Sequence, residues 1–450
     1  MSPASDIETR LLRPDDDVEA ELDLRRRAFG PIPSGKRGDW LALIEQNIGA
    51  GELVGAFDGA ALIGSARFHP MRQWWRGRPV PMAGVAGVKV APEHRGRGIG
   101  RALMVRLIAE IADRGYPLSA LFPATAPLYR SLGWELAGGL YDTTLPMTAL
   151  AGLLEPDEAS AADARVPDAR VPDAHGPDAH GPDARVPDAP APEGSMPECS
   201  TDTSSRSAAG AAPALRRAGP GDAAAIIETL GRVYSAHGDA GPATRDPQTV
   251  ARWLDDEDFF AYLAGDGFLG YRWSRQTDGI RVELLAAASA PTAREFWQIV
   301  ASHGTMADTV YARLGPDDPV NWLTREPAGQ TELLEAWMLR LVDAGAAVAA
   351  RGFPAAVSVS VPLQVTDSVL PANSGLWTLE VSGGQGKLAR TDSADGPPLR
   401  IGARGLAALY GGAPLGTLRG AGLVAGGSAP ADDALDSAFG GRPAFMLHSF

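Results

Sequence analysis

A five-residue repeat with proline in every unit occupies residues 164–193. Its units read Ala-Arg-Val-Pro-Asp or Ala-His-Gly-Pro-Asp, and the last reads Ala-Pro-Ala-Pro-Glu. Proline at every fifth position excludes a helix, and the units carry almost no apolar side chain that a core could bury. We therefore predict a disordered linker over residues 149–212. His175 and His180 hold equivalent positions in the repeat, which favours repetition over a metal site.

The first residues of the chain and the first residues after the linker have a similar pattern. Each predicts a short strand, a turn with proline and aspartate, and an amphipathic helix, over Val18–Phe29 in the first and over residues 223–234 in the second. We interpret this as a duplicated domain, with copies over residues 1–148 and 213–330. A smaller α+β domain is predicted for residues 331–450. It would start with a helix over residues 332–351 and continue with strands over residues 355–365, 376–382 and 386–391.

Charge and cysteine content limit the class of protein. The net charge is −14, of which −8 lies between Glu155 and Ser200, and this sign argues against nucleic acid as a partner. Cys199 is the only cysteine, which excludes an intrachain disulfide framework and a thiolate metal cluster. The sequence shows neither a secretory leader nor an apolar run of about 18–20 residues. We expect a cytoplasmic protein with no membrane partner and no metal.

The most informative segment is a loop rich in arginine and glycine, Arg95-Gly96-Arg97-Gly98-Ile99-Gly100. A strand that contains Val85, Val88 and Val90 precedes it, and residues 101–114 have helical periodicity. The loop therefore brings glycine amides and arginines to the N-terminus of a helix, where a diphosphate is favoured. A P-loop would end in Gly-Lys-Ser/Thr, and a dinucleotide fingerprint would read G-x-G-x-x-G with a later acid, so neither motif fits.

The pattern Arg-x-x-Gly-x-Gly after a strand resembles the pyrophosphate loop of the GNAT N-acetyltransferases. The resemblance implies acetyl-coenzyme A as co-substrate, pantetheine bound along the strand, and a neighbouring strand over residues 117–122 that diverges from it. A glycine-rich turn with solvated arginines is the alternative. The residues expected to bind the cofactor are Val88, Lys89, Val90, Arg95, Gly96, Arg97, Gly98, Ile99, Gly100, Arg101, Ala124 and Thr125.

The segment Leu-Tyr-Arg-Ser-Leu-Gly-Trp, which contains Tyr129, is similar to the GNAT motif Y-x-x-x-G-[FYW]. The resemblance implies that this tyrosine protonates the leaving thiolate. A phenol near pKa 10 can share or donate its proton to a thiolate whose conjugate thiol has a pKa near 8.5. A packing aromatic on a short helix is the alternative for Tyr129.

The whole layout resembles the enhanced-intracellular-survival (Eis) family. That family has a catalytic GNAT domain, a degenerate GNAT-like domain and a sterol-carrier-like domain, so the expected fold class is α/β (α+β). The second copy here follows its strand over residues 282–287 with Ala-Ser-Ala-Pro-Thr-Ala-Arg, which lacks the arginine-glycine pattern. Only the N-terminal copy is therefore expected to bind the cofactor.

The Eis resemblance implies that the terminal carboxylate, here that of Phe450, acts as the catalytic base. A frayed terminus is the alternative, although the ending Phe-Met-Leu-His-Ser-Phe is apolar for a solvated tail. His448 is a rival base. The resemblance also implies a homohexamer.

Primary amines are the expected acceptors, among them aminoglycosides at several positions. Phe29 and Trp40 occupy the aromatic positions of the family's substrate pocket. Pro31 and Ser449 stand where the family has acids, and Gly87 stands where it tends to have an aromatic. A lipid or small-molecule carrier, or an assembly protein, with a vestigial transferase domain is the alternative function.

Overall fold

The computed structural model describes residues 7–153, 215–274 and 278–450. These residues form one sheet of 14 strands and a second sheet of five strands. None of the described helices is long and apolar enough to cross a membrane. Most of the predicted linker lies outside the described residues, and so do His175, His180 and Cys199. The domain limits at residues 148, 213 and 330 stay predictions.

The N-terminal part contributes six strands and five helices. The strands are β1 (Ile7–Leu11), β2 (Leu53–Asp58), β3 (Ala61–Trp75), β4 (Arg78–Val90), β5 (Leu118–Leu121) and β6 (Glu135–Pro146). The helices are α1 (Val18–Phe29), α2 (Arg37–Gly49), α3 (Ile99–Asp113), α4 (Ala126–Arg130) and α5 (Met147–Leu150). Leu103, Leu107 and Ile111 of α3 are buried because their spacing of four residues places them on one helix face. The helix predicted over Val18–Phe29 is confirmed, and its N-cap Asp17 accepts a hydrogen bond from the Glu19 amide.

The central part follows the same order of short strand, helix and antiparallel strands. Its strands are β7 (Arg216–Arg217), β8 (Ala240–Thr244), β9 (Phe260–Ala264), β10 (Gly267–Trp273), β11 (Gly279–Ala287) and β12 (Thr309–Arg313). Its helices are α6 (Ala223–His237), α7 (Pro247–Leu254), α8 (Ala290–Ala301) and α9 (Val320–Leu323). Ser289, rather than a glycine, caps α8 and accepts a hydrogen bond from the Thr292 amide. In this copy a serine side chain therefore accepts the hydrogen bond of an amide in the first turn of the helix, so that amide is not free for a ligand.

The C-terminal part supplies the five-stranded sheet, in the order β16-β15-β14-β17-β18, and two strands of the large sheet. The strands are β13 (Gln330–Leu341), β14 (Val359–Thr366), β15 (Gly375–Ser382), β16 (Gln385–Arg390), β17 (Leu399–Gly402), β18 (Val424–Gly426) and β19 (Phe445–Met446). The helices are α10 (Ala344–Ala350), α11 (Ala403–Tyr410), α12 (Leu415–Gly420) and α13 (Ala429–Phe439). The three strands predicted after residue 355 are confirmed as β14, β15 and β16.

The helix predicted over residues 332–351 is wrong for most of its length. β13 is a strand that pairs antiparallel with both β5 and β6, and only Ala344–Ala350 is helical. Trp337, Met338 and Leu339 are all buried although neighbouring side chains point to opposite faces. An apolar run that is covered on both faces cannot be distinguished from a buried helix by periodicity.

The order of the large sheet is β1-β2-β3-β4-β5-β13-β6-β12-β11-β10-β9-β7, with β8 paired to β3 and β19 paired to β6. Residues from the C-terminal part thus complete the sheet between β5 and β6. β8 joins the far end of β3, at Arg72–Trp75, beyond the residues that pair with β2. The chain terminus and the residue after β8 consequently approach the middle of β3 and β4.

A buried arginine holds the C-terminal helices against β3. Arg351 donates hydrogen bonds to the carbonyl oxygens of Tyr410 and, at 2.9 Å, Phe439. Its guanidinium carbon lies 4.8 Å from the ring centroid of Tyr410 and 5.3 Å from that of Trp75. Charge-assisted hydrogen bonds and cation–π contacts offset the cost of burying this cation.

Candidate active site

The loop between β4 and α3 is built to present backbone amides. Gly96 and Gly98 have φ values of +76° and +79°, which L side chains rarely adopt, and a Cβ at either position would meet open space. Gly98 is the N-cap of α3, and Ile99 anchors the first turn because its side chain is buried. The first amides of a helix have no acceptor within it, so this turn can bind an anion.

Three exposed arginines surround these amides. Arg95 Nε donates to the carbonyl oxygen of Val90 at 3.3 Å, Arg97 Nη1 lies 2.9 Å from His94 Nδ1, and Arg101 Nη1 donates to Ser131 Oγ at 2.9 Å. None of the three forms an ion pair with another described residue. Their positive charges are available to an anionic ligand such as a diphosphate.

β4 and β5 separate in the middle of the sheet. Their parallel pairing runs from Met82–Leu118 to Gly84–Ala120, whereas β4 continues to Val90. A bulge interrupts the pairing of β4 with β3 between Ala86 and Lys89, and Gly87 within it has a φ of +61°. The last residues of β4 therefore have backbone groups that β5 does not pair, and an extended ligand with amides could pair with them.

Tyr129 lies in α4 and belongs to the same buried cluster as Val85 of β4 and Leu121 of β5. The side chain is buried and packs edge-on against Trp134, with ring centroids 6.2 Å apart. Burial raises the pKa of the Tyr129 hydroxyl, so the phenol holds its proton at neutral pH. Ala124 and Thr125, which precede α4, are exposed.

The chain terminus reaches the same opening. β19 runs parallel to β6, with Phe445 opposite Gly139, and leads the last residues back into the N-terminal part. The ring of Phe450 packs against Phe122 and fills the space where a Cβ on Gly84 would be, 2.7 Å from the Phe450 ring. The pairing of β4 and β5 ends at that glycine.

A cleft of about 720 Å³ opens beside Phe450. Its ionisable side chains are Glu52, Arg67, His69, Arg245, Asp246 and Arg252. Phe29 and Trp40 are not among the described residues that line this cleft. Phe29 is 53% exposed at the end of α1, and the Trp40 ring stacks under the guanidinium of Arg25 at 4.2 Å.

Glu21, Ser65 and Lys89 form a buried ionic cluster under the bulge, which the sequence did not predict. Lys89 Nζ donates to Glu21 Oε1 at 2.6 Å, and Ser65 Oγ donates to Glu21 Oε2 at 2.7 Å. All three side chains are buried. In the sequence, Glu21 looks like one of the acids that favour the first turn of a helix, and its neighbour across the sheet could not be identified. The side chain of Lys89 thus points into the protein, and only its backbone faces the opening.

Comparison with known proteins gives three matches along the chain. Residues 8–137 and residues 241–341 each match an acetyltransferase (GNAT) domain model, and residues 344–447 match a sterol carrier protein domain model. A crystal structure of a GCN5-related N-acetyltransferase from Kribbella flavida is 37% identical, with a TM-score of 0.81, and the match covers 99% of this chain and 98% of that one. Eis1 from Mycobacterium abscessus shares the fold, at 23% identity and a TM-score of 0.70, over 98% of this chain and 100% of that one.

The N-acetyltransferase Eis from Mycobacterium tuberculosis is 38% identical over 92 residues. That alignment covers 20% of this chain and only 23% of the curated relative. An uncharacterised N-acetyltransferase from Streptomyces avermitilis is 33% identical over 132 residues, which cover 29% of this chain and 31% of that relative.

Proposed function

Because this chain belongs to the GCN5-related N-acetyltransferases and has the Eis order of two GNAT domains and a sterol carrier protein domain, we propose that it transfers an acetyl group from acetyl-coenzyme A to a primary amine. One observation carries the proposal. The pairing of β4 with β5 stops at Gly84, and the glycine-arginine loop follows at the end of β4. The unpaired end of β4 can bind the pantetheine arm of coenzyme A, and the loop can bind its diphosphate.

The proposed cofactor site comprises a strand, a loop and a helix start. The loop amides and the arginines bind the diphosphate, and the backbone of the last residues of β4 binds the pantetheine amides. The residues proposed to form it are Val88, Lys89, Val90, Arg95, Gly96, Arg97, Gly98, Ile99, Gly100, Arg101, Ala124 and Thr125. Acetyl-coenzyme A supplies an activated thioester when bound.

Two groups move protons in the proposed reaction. The carboxylate of Phe450 accepts a proton from the ammonium, directly or through water, and frees the nitrogen lone pair for attack on the acetyl carbon. The C–N bond forms, the C–S bond breaks, and Tyr129 protonates the departing sulfur. The nitrogen of the new amide then loses its second proton, which returns to the Tyr129 oxygen through water, and the carboxyl group of Phe450 releases its proton to solvent. Burial keeps the Tyr129 hydroxyl protonated until the thiolate develops.

His448 is a poorer base than the terminal carboxylate. Burial lowers its pKa to about 3, which is close to that of an α-carboxyl group, so the two candidates differ in position rather than in pKa. Its ring also packs edge-on against Trp253, at 5.3 Å, beside an apolar pocket that includes Ile226 and Leu230. Both ring nitrogens are buried with no hydrogen-bond partner among the described residues.

The proposal is tested by release of free thiol from acetyl-coenzyme A over a panel of aminoglycosides, polyamines and lysine peptides. Aminoglycosides are the acceptors that the Eis resemblance implies. Phe29 and Trp40, which do not line the cleft beside Phe450, are the proposed substrate-binding residues. We expect thiol release that depends on an amine, with acetylated product visible by mass spectrometry. Binding of coenzyme A without turnover on any amine would overturn the proposal and favour a carrier or assembly protein.

We further propose a homo-oligomer, a hexamer by resemblance to Eis. Large apolar side chains are exposed on the described surface, among them Met306 and Trp322, each 73% exposed, and Leu333, 55% exposed. In a homo-oligomer, a neighbouring subunit would remove these apolar side chains from water. Light scattering after size-exclusion chromatography would give the number of subunits, and a monomer would refute this proposal.

A further inference from the structure

The cleft beside Phe450 contains two arginines that lack an anionic partner. Arg67 lies on β3, opposite Ala86 at the edge of the bulge in β4. Its Nε is buried and has no hydrogen-bond partner among the described residues. A Cβ on Gly87 would be 3.6 Å from this nitrogen, so the guanidinium lies directly beside the bulge.

Arg245 approaches the same cleft from the central part of the chain, between β8 and α7. Its Nε is also buried without a partner, and its Nη2 donates only to the carbonyl oxygen of Ser449, at 3.3 Å. The guanidinium carbon lies 5.8 Å from the ring centroid of Phe450. Burial, and then the charge of Arg67, lower the pKa of Arg245 to about 10, so the group is still charged at neutral pH.

The acids near these arginines form no ion pair with them among the described residues. Asp246 accepts hydrogen bonds from Thr249 N and Oγ1, at 2.9 and 2.7 Å, as the N-cap of α7. The charge of Glu52 acts on Arg67, but Glu52 forms no ion pair with either arginine among the described residues. Glu21, the other acid whose charge acts on Arg67, is bound to Lys89 and Ser65.

The remaining ionisable groups of the cleft do not offset these positive charges. Arg252 adds a third cation, and its Nη2 donates to Thr249 Oγ1. Burial, and then Arg67 and Arg245, lower the pKa of His69 to about 3, so this imidazole is uncharged at neutral pH. The terminal carboxylate of Phe450 is the one further anion among the described residues that line the cleft, and the proposed reaction needs it to face the ammonium.

We propose that Arg67 and Arg245 bind a carboxylate carried by the acceptor amine, so that the substrate is an amino acid-like molecule rather than a polycation. This inference rests on the proposed acetyl transfer. Each guanidinium is half-buried and has a buried Nε without a partner, and a carboxylate can accept paired hydrogen bonds from a guanidinium. In such a complex, Phe450 faces the ammonium and the two arginines face the anion. A second ammonium in their place would be repelled.

Three acceptors of similar length isolate the effect of the distal group. 6-Aminohexanoate carries a carboxylate, hexylamine carries no second charge, and cadaverine carries a second ammonium. For the full chain with acetyl-coenzyme A, we expect kcat/KM to be about tenfold higher for 6-aminohexanoate than for hexylamine, and lowest for cadaverine. Equal values for the three acceptors, or a preference for cadaverine, would overturn the carboxylate site.

Variants assign the preference to the two arginines. Arg67→Gln and Arg245→Gln should each reduce the ratio of kcat/KM for 6-aminohexanoate over hexylamine by about tenfold. Arg67→Lys keeps a charge but loses the paired donors, so it should keep part of the ratio. Arg400→Gln, a change of an exposed arginine on β17, should leave the ratio unaltered. If Arg67→Gln raises KM for acetyl-coenzyme A and leaves the ratio intact, Arg67 serves the cofactor and the inference is wrong.

A binding measurement separates this inference from the proposed reaction. Absence of thiol release with every amine would refute the acetyl transfer alone. Calorimetry with coenzyme A present would then compare 6-acetamidohexanoate with N-hexylacetamide as probes. Binding of the carboxylate at least tenfold tighter, and loss of that margin in Arg67→Gln, would support an anion site at these arginines. Equal binding of the two probes would reject it.

Discussion

The ring of Phe450 packs edge-on against the ring of Phe122, with centroids 5.5 Å apart, and thereby holds the last residue of the chain at the point where β4 and β5 separate. Phe122 directly follows β5, and Gly84 of β4 leaves the space that the Phe450 ring fills. A terminal residue without such contacts would fray. The packing gives the carboxylate of Phe450 a defined place beside the proposed thioester site.

Adding one alanine after Phe450 should reduce kcat by about 10²-fold or more, because the α-carboxylate becomes an amide that cannot accept a proton. KM for acetyl-coenzyme A should stay unchanged. Phe450→Leu is the comparison variant, since it keeps the carboxylate but loses the ring contact with Phe122, and its kcat should fall less than that of the extended chain. An extended chain with unaltered kcat would eliminate the carboxylate as the base.

Tyr129→Phe should lower kcat by about 10²-fold through loss of the proton donor. The ring and its packing on Trp134 are kept, so the melting temperature should change little. Trp134→Phe serves as the comparison, because it perturbs the packing but keeps the hydroxyl. Similar losses of kcat in both variants would indicate a packing role for Tyr129.

Gly98→Ala should raise KM for acetyl-coenzyme A, since a methyl group at the N-cap of α3 holds an anion away from the amides. Gly115→Ala is a matched control at the other end of α3. Gly115 has a φ of +74° and Gly98 one of +79°, and a Cβ would meet open space at both. Each substitution should cost about 1–2 kcal/mol of unfolding free energy. Only Gly98→Ala should weaken cofactor binding. Equal KM values for acetyl-coenzyme A in the two variants would count against the loop as the diphosphate site.

Glu21→Gln should lower the free energy of unfolding by about 3–5 kcal/mol, because the buried ammonium of Lys89 loses its counterion. The side chains of the pair are 5% and 4% exposed. Replacing both residues, as Glu21→Gln with Lys89→Met, should recover part of that loss, since no unpaired charge remains. Denaturant titration of the single and double variants measures the coupling, and additive losses would show that the pair is not coupled.

His448 should make stability depend on pH below neutrality. Burial lowers its pKa to about 3, while the unfolded chain binds a proton near pH 6.5. Between these values the unfolded state holds more protons, so the free energy of unfolding falls as the pH falls, by about 1.4 kcal/mol per pH unit. His448→Asn lacks this contribution. The stability difference between the original chain and this variant should therefore shrink between pH 7.5 and pH 5 in urea titrations, and a constant difference would contradict the assignment.

Some features follow from short stretches of sequence and were predicted correctly. The strand, glycine loop and helix around Gly98 depend on local backbone preferences and on the apolar spacing of α3. The helix over Val18–Phe29 was likewise readable, because a capping aspartate precedes it. The helix predicted over residues 332–341 was wrong because tertiary structure decides the secondary structure of this segment. Residues 337–341 of β13 are buried between β5 and β6, and that apolar run carries no periodicity of its own.

The sequence by itself determined that an amide-rich turn follows β4 and that the second copy lacks one. Both properties reside within a few consecutive residues, where φ preferences and missing side chains act directly. Only the tertiary structure decided that Glu21 meets Lys89, that Phe450 meets Phe122, and that Arg67 and Arg245 share one cleft. These contacts depend on strand register and on the path of the chain through β8 and β19. Side chains that are far apart in the sequence carry no local signal of their eventual neighbours.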